Sequence, residues 1–263
     1  MSVRQAISAV TQSKKIEKKR LDVLLVERGL ADSRQKAQAL ILSGAIRVDG
    51  EPRDKAGTAI PASARIELAD SGLRYASRAG TKLEGALEDF AVSAKGKVCL
   101  DIGASTGGFT DCLLRHGAQR VYCVDVTAAQ LAWKLHTDSR VVQIEKNARH
   151  LKPEDLAEPA ELVTVDVSFI SVGKILGAVV ACARAGAEFL LLVKPQFELD
   201  RGDIGRGGIV RDPALHDRAV ERVRAAAIAA GLRVLGTVPS RLPGAEGNRE
   251  FFLHARREAP GVR

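Results

Sequence analysis

The sequence predicts an α/β protein with a mostly parallel sheet, preceded by a small N-terminal α+β domain. From about residue 81 onward, short runs rich in β-branched residues and leucine alternate with helical stretches, a pattern typical of parallel strands with helices on both faces. Before residue 70, two helical repeats are followed by a hairpin pattern. A length of 263 residues suits one or two such domains.

Composition and charge narrow the class of protein. The chain carries 40 Lys+Arg against 32 Asp+Glu, with 46% hydrophobic and 27% charged residues, which excludes disorder, collagen and coiled coil. Residues 1–80 hold 15 basic and 9 acidic side chains, so +6 of the total charge of +8 is N-terminal. A charge run is often only a solvated face, but a basic N-terminal region makes a polyanion such as RNA the first partner to consider.

Several classes of function lack support. The longest uncharged apolar run, 175–183, is far below the roughly 18 residues that a membrane span needs, and residues 1–20 do not form a secretory signal, so we expect a cytoplasmic protein without membrane contact. No metal is expected, because the histidines lack ligand spacing. The cysteines form no C-x-x-C pair and are expected to be free buried thiols: Cys99, Cys112, Cys123 and Cys182.

The N-terminal pattern predicts two short helices and a hairpin. Leucines at helical spacing over 21–29 and a capped repeat over 33–44 form the helices, while 46–48 and 64–68 form strands beside a tight turn at 49–50. The basic residues left on the polar side, our candidate RNA contacts, are Arg34, Lys36, Arg47, Arg53 and Lys55. The run from Asp32 to Gly50 resembles the alpha-L RNA-binding motif, which implies recognition of structured RNA through phosphates and shape.

The predicted organisation has five parts. We expect a flexible basic tail (1–18), the RNA-binding domain (19–72), a linker (73–80), the α/β domain (81–257) and a short tail (258–263). Within the α/β domain, the predicted strands are 97–102, 120–125, 141–144, 161–166, 188–194, 233–238 and 250–255, the last two pairing antiparallel. The predicted helices are 81–90, 109–116, 128–136, 172–184 and 214–230.

A glycine-rich turn follows the first strand of the α/β domain. Asp101 ends that strand, and the spacing of Gly103, Gly107 and Gly108 differs from the G-x-G-x-x-G fingerprint of nicotinamide cofactors. The next strand ends in Asp125, where an acid could hold a ribose diol. This Asp-x-Gly-x-x-x-Gly-Gly pattern is similar to class I S-adenosylmethionine-dependent methyltransferases, and the resemblance implies S-adenosyl-L-methionine as cofactor. The implied contacts are Asp101, Gly103, Ala104, Ser105, Thr106, Gly107, Gly108, Asp125, Val126 and Asp166.

Gly103-Ala-Ser105-Thr-Gly107 also fits the G-x-S-x-G nucleophile elbow of hydrolases. In that alternative, Ser105 is the nucleophile and His216 or His254 the base. An elbow lies deep in its sheet, after strands that supply an oxyanion loop, whereas this turn follows the first strand of its domain. We therefore favour a cofactor contact or helix cap for Ser105.

Four charged residues at strand and helix ends complete the pattern. Individually, Lys82, Asp166, Lys194 and Glu250 could be solvated side chains or caps. In this order they resemble the Lys-Asp-Lys-Glu tetrad of FtsJ/RrmJ-type ribose 2′-O-methyltransferases. With the alpha-L module in front, the stretches 77–83, 101–111 and 193–198 are similar to the TlyA (hemolysin A) family, over nearly the whole chain.

The resemblance implies methyl transfer to the 2′-hydroxyl of a cytidine in large-subunit rRNA, some members also modifying small-subunit rRNA. Lys194 is then the candidate base, or the cation that stabilises the developing alkoxide; Asp166 orients it, while Lys82 and Glu250 hold the target nucleotide. Two alternatives stay open at this point: a membrane-active cytolysin, as the hemolysin name suggests, and a catalytically idle ribosome-assembly factor.

Overall fold

The structure is a computed structural model that describes residues 17–31, 33–42, 44–68, 74–127, 130–244 and 247–258. Most of the two predicted tails, together with Asp32 and the first residue of the predicted linker, lies outside the described residues.

The N-terminal unit packs two helices over short antiparallel strands. The helices are α1 (Leu21–Glu27) and α2 (Arg34–Leu42); the strands are β1 (Lys18–Arg20), β2 (Ile46–Val48), β3 (Glu51–Pro52), β4 (Ala59–Pro61) and β5 (Ile66–Leu68). The two predicted helices are confirmed, and their leucines enter a small core with Ile41 and Ile46. The predicted turn at Asp49 and Gly50 has positive φ values of 52° and 85°, but it leads into β3. The strand predicted at 64–68 pairs with the other edge of β2.

The main sheet has seven described strands. They are β6 (Val98–Ile102), β7 (Arg120–Asp125), β8 (Val141–Glu145), β9 (Ala160–Val165), β10 (Ala183–Val193), β11 (Leu232–Pro239) and β12 (Phe251–Arg257). The spatial order is β11-β12-β10-β9-β6-β7-β8, and among these strands β12 alone runs against the others. The predicted parallel sheet and the antiparallel pairing of its last two strands are confirmed, and the carboxyl ends of β6 to β9 share one edge.

Helices cover both faces of this sheet. They are α3 (Arg78–Asp89), α4 (Gly108–Arg115), α5 (Trp133–His136), α6 (Leu176–Ala181), α7 (Pro195–Glu198) and α8 (Pro213–Ala229). One buried cluster joins a sheet face to α6 and α8, and a second joins the other face to α3 and α4. All four cysteines are buried and free, as predicted. Of the described helices, none is long and apolar enough to cross a membrane.

Some predicted element boundaries are wrong; the helix predicted over 128–136 begins only at Trp133. The helix predicted over 172–184 is a 3-10 turn at 172–174 followed by α6, and β10 already begins at Ala183. Alanine and glycine carry little periodic signal, and a register irregularity between Ala183 and Glu188 lets this strand start early. The helix predicted over 81–90 starts earlier, at Arg78, within the residues predicted as a linker.

A buried carboxylate ties α1 to α2. The side chain of Asp22 accepts hydrogen bonds from Nε and Nη2 of Arg20 (3.0 and 2.9 Å), from Nη2 of Arg34 (3.0 Å) and from Nε2 of Gln38 (3.1 Å). Its hydrogen bonds with the Arg20 guanidinium hold the pKa of Asp22 well below its usual range, although burial opposes this. Arg34, predicted as an RNA contact, therefore also helps to hold α1 and α2 together.

We predict that Asp22→Asn loosens the N-terminal unit. The amide keeps the volume but places an NH2 group where guanidinium donors converge, so amide protection in α1 and α2 should fall by about tenfold near neutral pH. Because the folded pKa of Asp22 is depressed, its stabilisation is present above the unfolded carboxyl pKa of about 4 and is lost as the pH falls below that value. Hydrogen exchange of the full chain measures both effects.

The exposed Glu51→Gln in β3 is the matched control, because it makes the same chemical change at an exposed position. Equal protection in the two variants would contradict the structural role of Asp22.

Candidate functional site

The glycine turn between β6 and α4 adopts backbone angles that glycine favours. Gly103 and Gly107 have φ values of 83° and 89°, and Ser105 between them has a φ of 48°. A Cβ at Gly103 would collide with the backbone carbonyl of Asp166, and one at Gly107 would collide with leucine side chains at residues 131 and 135. Neighbouring chain segments therefore require glycine at both positions.

Asp125, at the end of β7, is fixed beside this turn. Its Oδ2 accepts a hydrogen bond from the backbone N–H of Ser105 (2.9 Å), and its Oδ1 accepts one from the N–H of Thr127 (3.1 Å). A carboxylate held by two backbone donors keeps further lone pairs for a ligand. The structure thus brings together the two parts of the predicted cofactor pattern.

A large cleft of about 610 Å³ opens at this edge of the sheet. Its walls come from residues at the carboxyl ends of four neighbouring parallel strands: Gly103 and Ser105 after β6, Asp125 and Val126 at the end of β7, Asn147 after β8, and Asp166 and Phe169 after β9. Ligand sites in open α/β sheets lie beyond the carboxyl ends of the strands, where this cleft lies.

A small cleft of about 230 Å³ adjoins the large one, and the two share Leu42, Gly103, Ser105, Asp166 and Ser168. The small cleft is further lined by Ala104, Thr106, Gly108, Lys82 and Lys194. Leu42 and Asp54 of the N-terminal unit also line it. The two clefts therefore offer adjacent binding spaces that meet at the glycine turn.

The four predicted catalytic residues form two ion pairs. Lys194 Nζ lies 2.5 Å from Oδ1 of Asp166 and donates a hydrogen bond to Oγ of Ser168 at 3.0 Å. Lys82 Nζ lies 2.5 Å from Oε2 of Glu250, and this second pair is buried, Glu250 being 3% exposed. Lys82, Asp166 and Lys194 face the small cleft, while Glu250 reaches it through Lys82.

Asp101 is placed differently from the other predicted cofactor contacts. Its side chain is fully buried and accepts hydrogen bonds from Oγ1 of Thr110 (2.7 Å) and Oγ1 of Thr164 (3.1 Å). Burial raises the pKa of Asp101 to about 7, although the threonine hydroxyls counteract the shift. Within the described residues, Asp101 lines neither cleft. It supports the turn from the interior of the domain, through its bonds to Thr110 and Thr164. Gly107 likewise packs on α5 and lies outside both linings.

The hydrolase alternative does not fit the geometry. The Ser105 hydroxyl lies 3.4 Å from Oε1 of Gln130. Nε2 of His216 instead contacts the carbonyl of Val210 at 2.9 Å, and His254 lies beside Glu188. Neither histidine is placed as a base for Ser105. In the described ranges, no group of three or more His, Cys, Asp or Glu side chains is arranged to hold a metal ion.

The candidate RNA contacts lie on the surface of the N-terminal unit. Arg34, Lys36, Arg47, Arg53 and Lys55 are all exposed. Arg34 bonds to Asp22 and Arg47 bonds to the carbonyl of Gly50 (3.0 Å), which fixes the direction of these two side chains.

Sequence reasoning missed the loop that follows β9. The prediction for this loop is limited to Asp166. In the structure, Phe169 is 92% exposed with a φ of 66°, and Ser168 accepts a hydrogen bond from Lys194. The sequence did contain one signal for this loop, namely its position at the carboxyl end of a parallel strand, where ligand sites form.

Comparisons with known proteins agree with this geometry. The model of the FtsJ-like methyltransferase family matches residues 75–257, and the S4 domain model matches residues 19–66. The 16S/23S rRNA (cytidine-2′-O)-methyltransferase TlyA of Mycobacterium tuberculosis is 48% identical over 239 residues, which cover 90% of this chain and 89% of the relative. Hemolysin A of Brachyspira hyodysenteriae is 42% identical over 89% of this chain and 98% of its own.

A solved structure gives the same result. The solved structure of a hemolysin-named protein from Streptococcus thermophilus matches this chain with a TM-score of 0.71 and 40% sequence identity. The match covers 92% of this chain and 90% of that one. The chain belongs to the FtsJ-like methyltransferase family and carries an S4 domain at its N-terminus.

Proposed function

We propose that this protein transfers a methyl group from S-adenosylmethionine to the ribose 2′-hydroxyl of a cytidine in rRNA. The observation that carries the proposal is the junction of the two clefts, where Asp166 and Ser168 belong to both linings and hold Lys194. Family membership and the rRNA (cytidine-2′-O)-methyltransferase relative support this activity and substrate. Mass mapping of both ribosomal RNAs from cells with and without the protein tests it: a missing 2′-O-methylcytidine in the deficient cells is expected.

The residues of the large cleft fit S-adenosylmethionine. Its volume lies in the range of small-molecule sites, about 300–1,000 Å³. Asp125 would hold the ribose diol, Val126 would lie against the adenine, and the glycine turn with the N-terminus of α4 would receive the amino-acid end. Asp101 would act indirectly, by bonding Thr110 and Thr164 beneath the turn. When bound, the cofactor supplies an electrophilic methyl group on a sulfonium.

Lys194 is the candidate group that acts on the acceptor hydroxyl. A ribose hydroxyl is a weak nucleophile, so its attack needs an aligned approach and a partner for the proton or for the developing negative charge. Asp166 and Ser168 fix Lys194 Nζ at the junction of the clefts, where it can take the proton or stabilise the alkoxide. Both roles need this position, and only the first needs a deprotonated amine.

Lys82 and Glu250 are proposed to hold the target nucleotide. Their pair joins α3 to the start of β12, and Lys82 faces the small cleft opposite the donor side. Because its carboxylate partner is buried, Lys82 stays in place while its ammonium group can donate to a ribose or phosphate oxygen.

The S4 domain is proposed to deliver the rRNA substrate. Residues 1–80 hold +6 of the net charge, and exposed Arg53 and Arg47 extend the basic surface of that unit. Phosphate contacts of this kind supply affinity that depends on salt. An rRNA substrate implies that the protein acts in the cytoplasm, where ribosomes are present.

The first prediction for the site concerns the glycine turn. Gly103→Ala should weaken S-adenosylmethionine binding by at least about tenfold, because the added Cβ collides with the Asp166 carbonyl and φ is +83°. Calorimetry on the full chain measures the affinity, and circular dichroism shows that the variant is folded. Gly177→Ala in α6 is the control, since it has open space at Cβ. Unchanged binding in Gly103→Ala would remove this turn from the cofactor site.

The second prediction tests the catalytic centre. Lys194→Ala should slow single-turnover methylation by about two orders of magnitude, with S-adenosylmethionine and rRNA affinities changed little. Lys194→Arg should not restore the rate, because a guanidinium keeps its proton at neutral pH. An active Arg variant would show that Lys194 acts only as a cation, and a fully active Ala variant would exclude it. Lys95→Ala, exposed before β6 at the opposite edge of the sheet, is the control.

The third prediction concerns substrate delivery. Arg53→Glu should weaken binding of rRNA and reduce its salt dependence, while cofactor affinity stays unchanged. Arg233→Glu makes the same charge change on β11 and serves as the control. Filter binding at several salt concentrations measures both variants; equal slopes would contradict the delivery role of the S4 surface.

A further inference from the structure

Glu198 is a buried carboxylate that the proposed reaction does not use. It ends α7, four residues after Lys194, and is 6% exposed. Oε2 accepts a hydrogen bond from Oγ of Ser171 (2.6 Å), and Oε1 accepts one from the backbone N–H of Val172 (2.9 Å). Burial raises the pKa of Glu198, although these two donors and the charges of Arg222 and Lys174 oppose the shift. A buried carboxyl group thus receives two donors from one loop.

That loop, residues 166–172, is here named the β9 exit loop. Its other end is joined to the same segment as Glu198, because Asp166 and Ser168 both contact Lys194. Between the two attachments, the rings of Phe169 and Phe197 lie 5.2 Å apart at a tilt of 50°. The loop is therefore fastened to residues 194–198 at both ends and in the middle.

The backbone of the loop needs this fastening. Phe169 has a φ of 66°, a strained conformation for a residue with a side chain, and its side chain is 92% exposed. Strained positions persist only where surrounding contacts determine them. Since so little of Phe169 is buried, the loop depends on its polar contacts, and the two hydrogen bonds to the Glu198 carboxyl group join its second half to residues 194–198.

We propose that Glu198 is a positioning residue for methyl transfer. Its carboxylate fixes the β9 exit loop, so that Asp166 and Ser168 hold Lys194 Nζ at the junction of the two clefts. In the described part of the chain, Glu198 lines neither cleft, so it acts through the loop. The rate effect rests on the proposed function, whereas the effect on the loop does not.

The two donors explain why a glutamate is needed here. A carboxylate accepts both hydrogen bonds with its negative charge, which strengthens them. A glutamine amide can accept from the Val172 N–H, but the Ser171 hydroxyl would have to turn round and accept from its NH2 group. Glu198→Gln therefore removes the charge that strengthens both bonds and forces the Ser171 hydroxyl to reorient, without leaving a cavity.

Hydrogen exchange of the full chain, without ligand, tests the anchoring. In Glu198→Gln, the amides of residues 167–172 should exchange at least about tenfold faster, with β9 and β10 unchanged. The control is Asp200→Asn: Asp200 lies in the same turn, is largely exposed, and accepts a hydrogen bond from Nη2 of Arg222 at 2.7 Å. If the loop of Glu198→Gln exchanges as slowly as that of the wild type, the proposal is wrong.

Single-turnover kinetics tests the consequence for the reaction, with ribosomal subunits from cells lacking the protein as substrate. Glu198→Gln should slow methyl transfer by about tenfold, with the melting temperature and the S-adenosylmethionine affinity nearly unchanged. Ser171→Ala should show a smaller loss of rate, and the double variant should be no slower than Glu198→Gln, because both changes break the same link.

The outcomes separate this proposal from the proposed function. A faster loop with a normal methylation rate overturns the positioning role. Parallel losses of melting temperature, cofactor affinity and rate assign Glu198 a general structural role and also overturn it. If the wild-type protein methylates neither subunit, the proposed function fails, while the exchange experiment still decides whether Glu198 fixes the loop.

Discussion

The contact between Gly103 and the backbone of Asp166 sets the geometry of the whole site. β6 and β9 are parallel neighbours, and the N–H of Asp166 donates to the carbonyl of Ile102 at 2.9 Å, which extends the sheet by one residue. Because Gly103 has no Cβ, the chain that leaves β9 can pass directly over the glycine turn. The carboxylate that pairs with Lys194 thereby arrives beside the turn proposed to hold the methyl donor. A bulkier residue at 103 would push the chain at Asp166, and with it the partner of Lys194, away from the glycine turn.

Buried carboxylates support this arrangement at several points. Asp101 fastens α4 and β9 beneath the turn, Glu250 holds Lys82, and Glu198 receives the loop after β9. Burying a carboxylate is unfavourable unless donors or cations compensate for it. Here each carboxyl group and its partners belong to different segments of the chain, so each fixes the relative position of those segments. The main contribution of these carboxyl groups is therefore to position chain segments around the site, rather than to stabilise the fold.

The sequence could predict the parts of the site that depend on strand ends. Parallel strands meet at one edge, so Asp125, Asp166 and Lys194 could be brought together from the order of the runs alone. Side-chain direction was not predictable in the same way: Asp101 follows the alternation of β6 into the interior, so the structure buries it and supplies threonine donors. The partnership of Glu198 with Ser171 joins residues 27 apart, and no local pattern signals it.

In the N-terminal unit too, the helices could be predicted from the sequence, but the side-chain contacts that join them could not. Periodicity predicted its helices, yet the group that joins them is Asp22, whose arginine partners looked like surface charges in the sequence. An arginine on an RNA-binding surface has two demands on its five donors, one from the fold and one from phosphate. Arg34 meets the first with Nη2 and remains exposed, so neutralising Asp22 would change the direction of a basic side chain as well as the stability of α1 and α2. Substitutions in this unit therefore need a measurement of folding beside any measurement of RNA affinity.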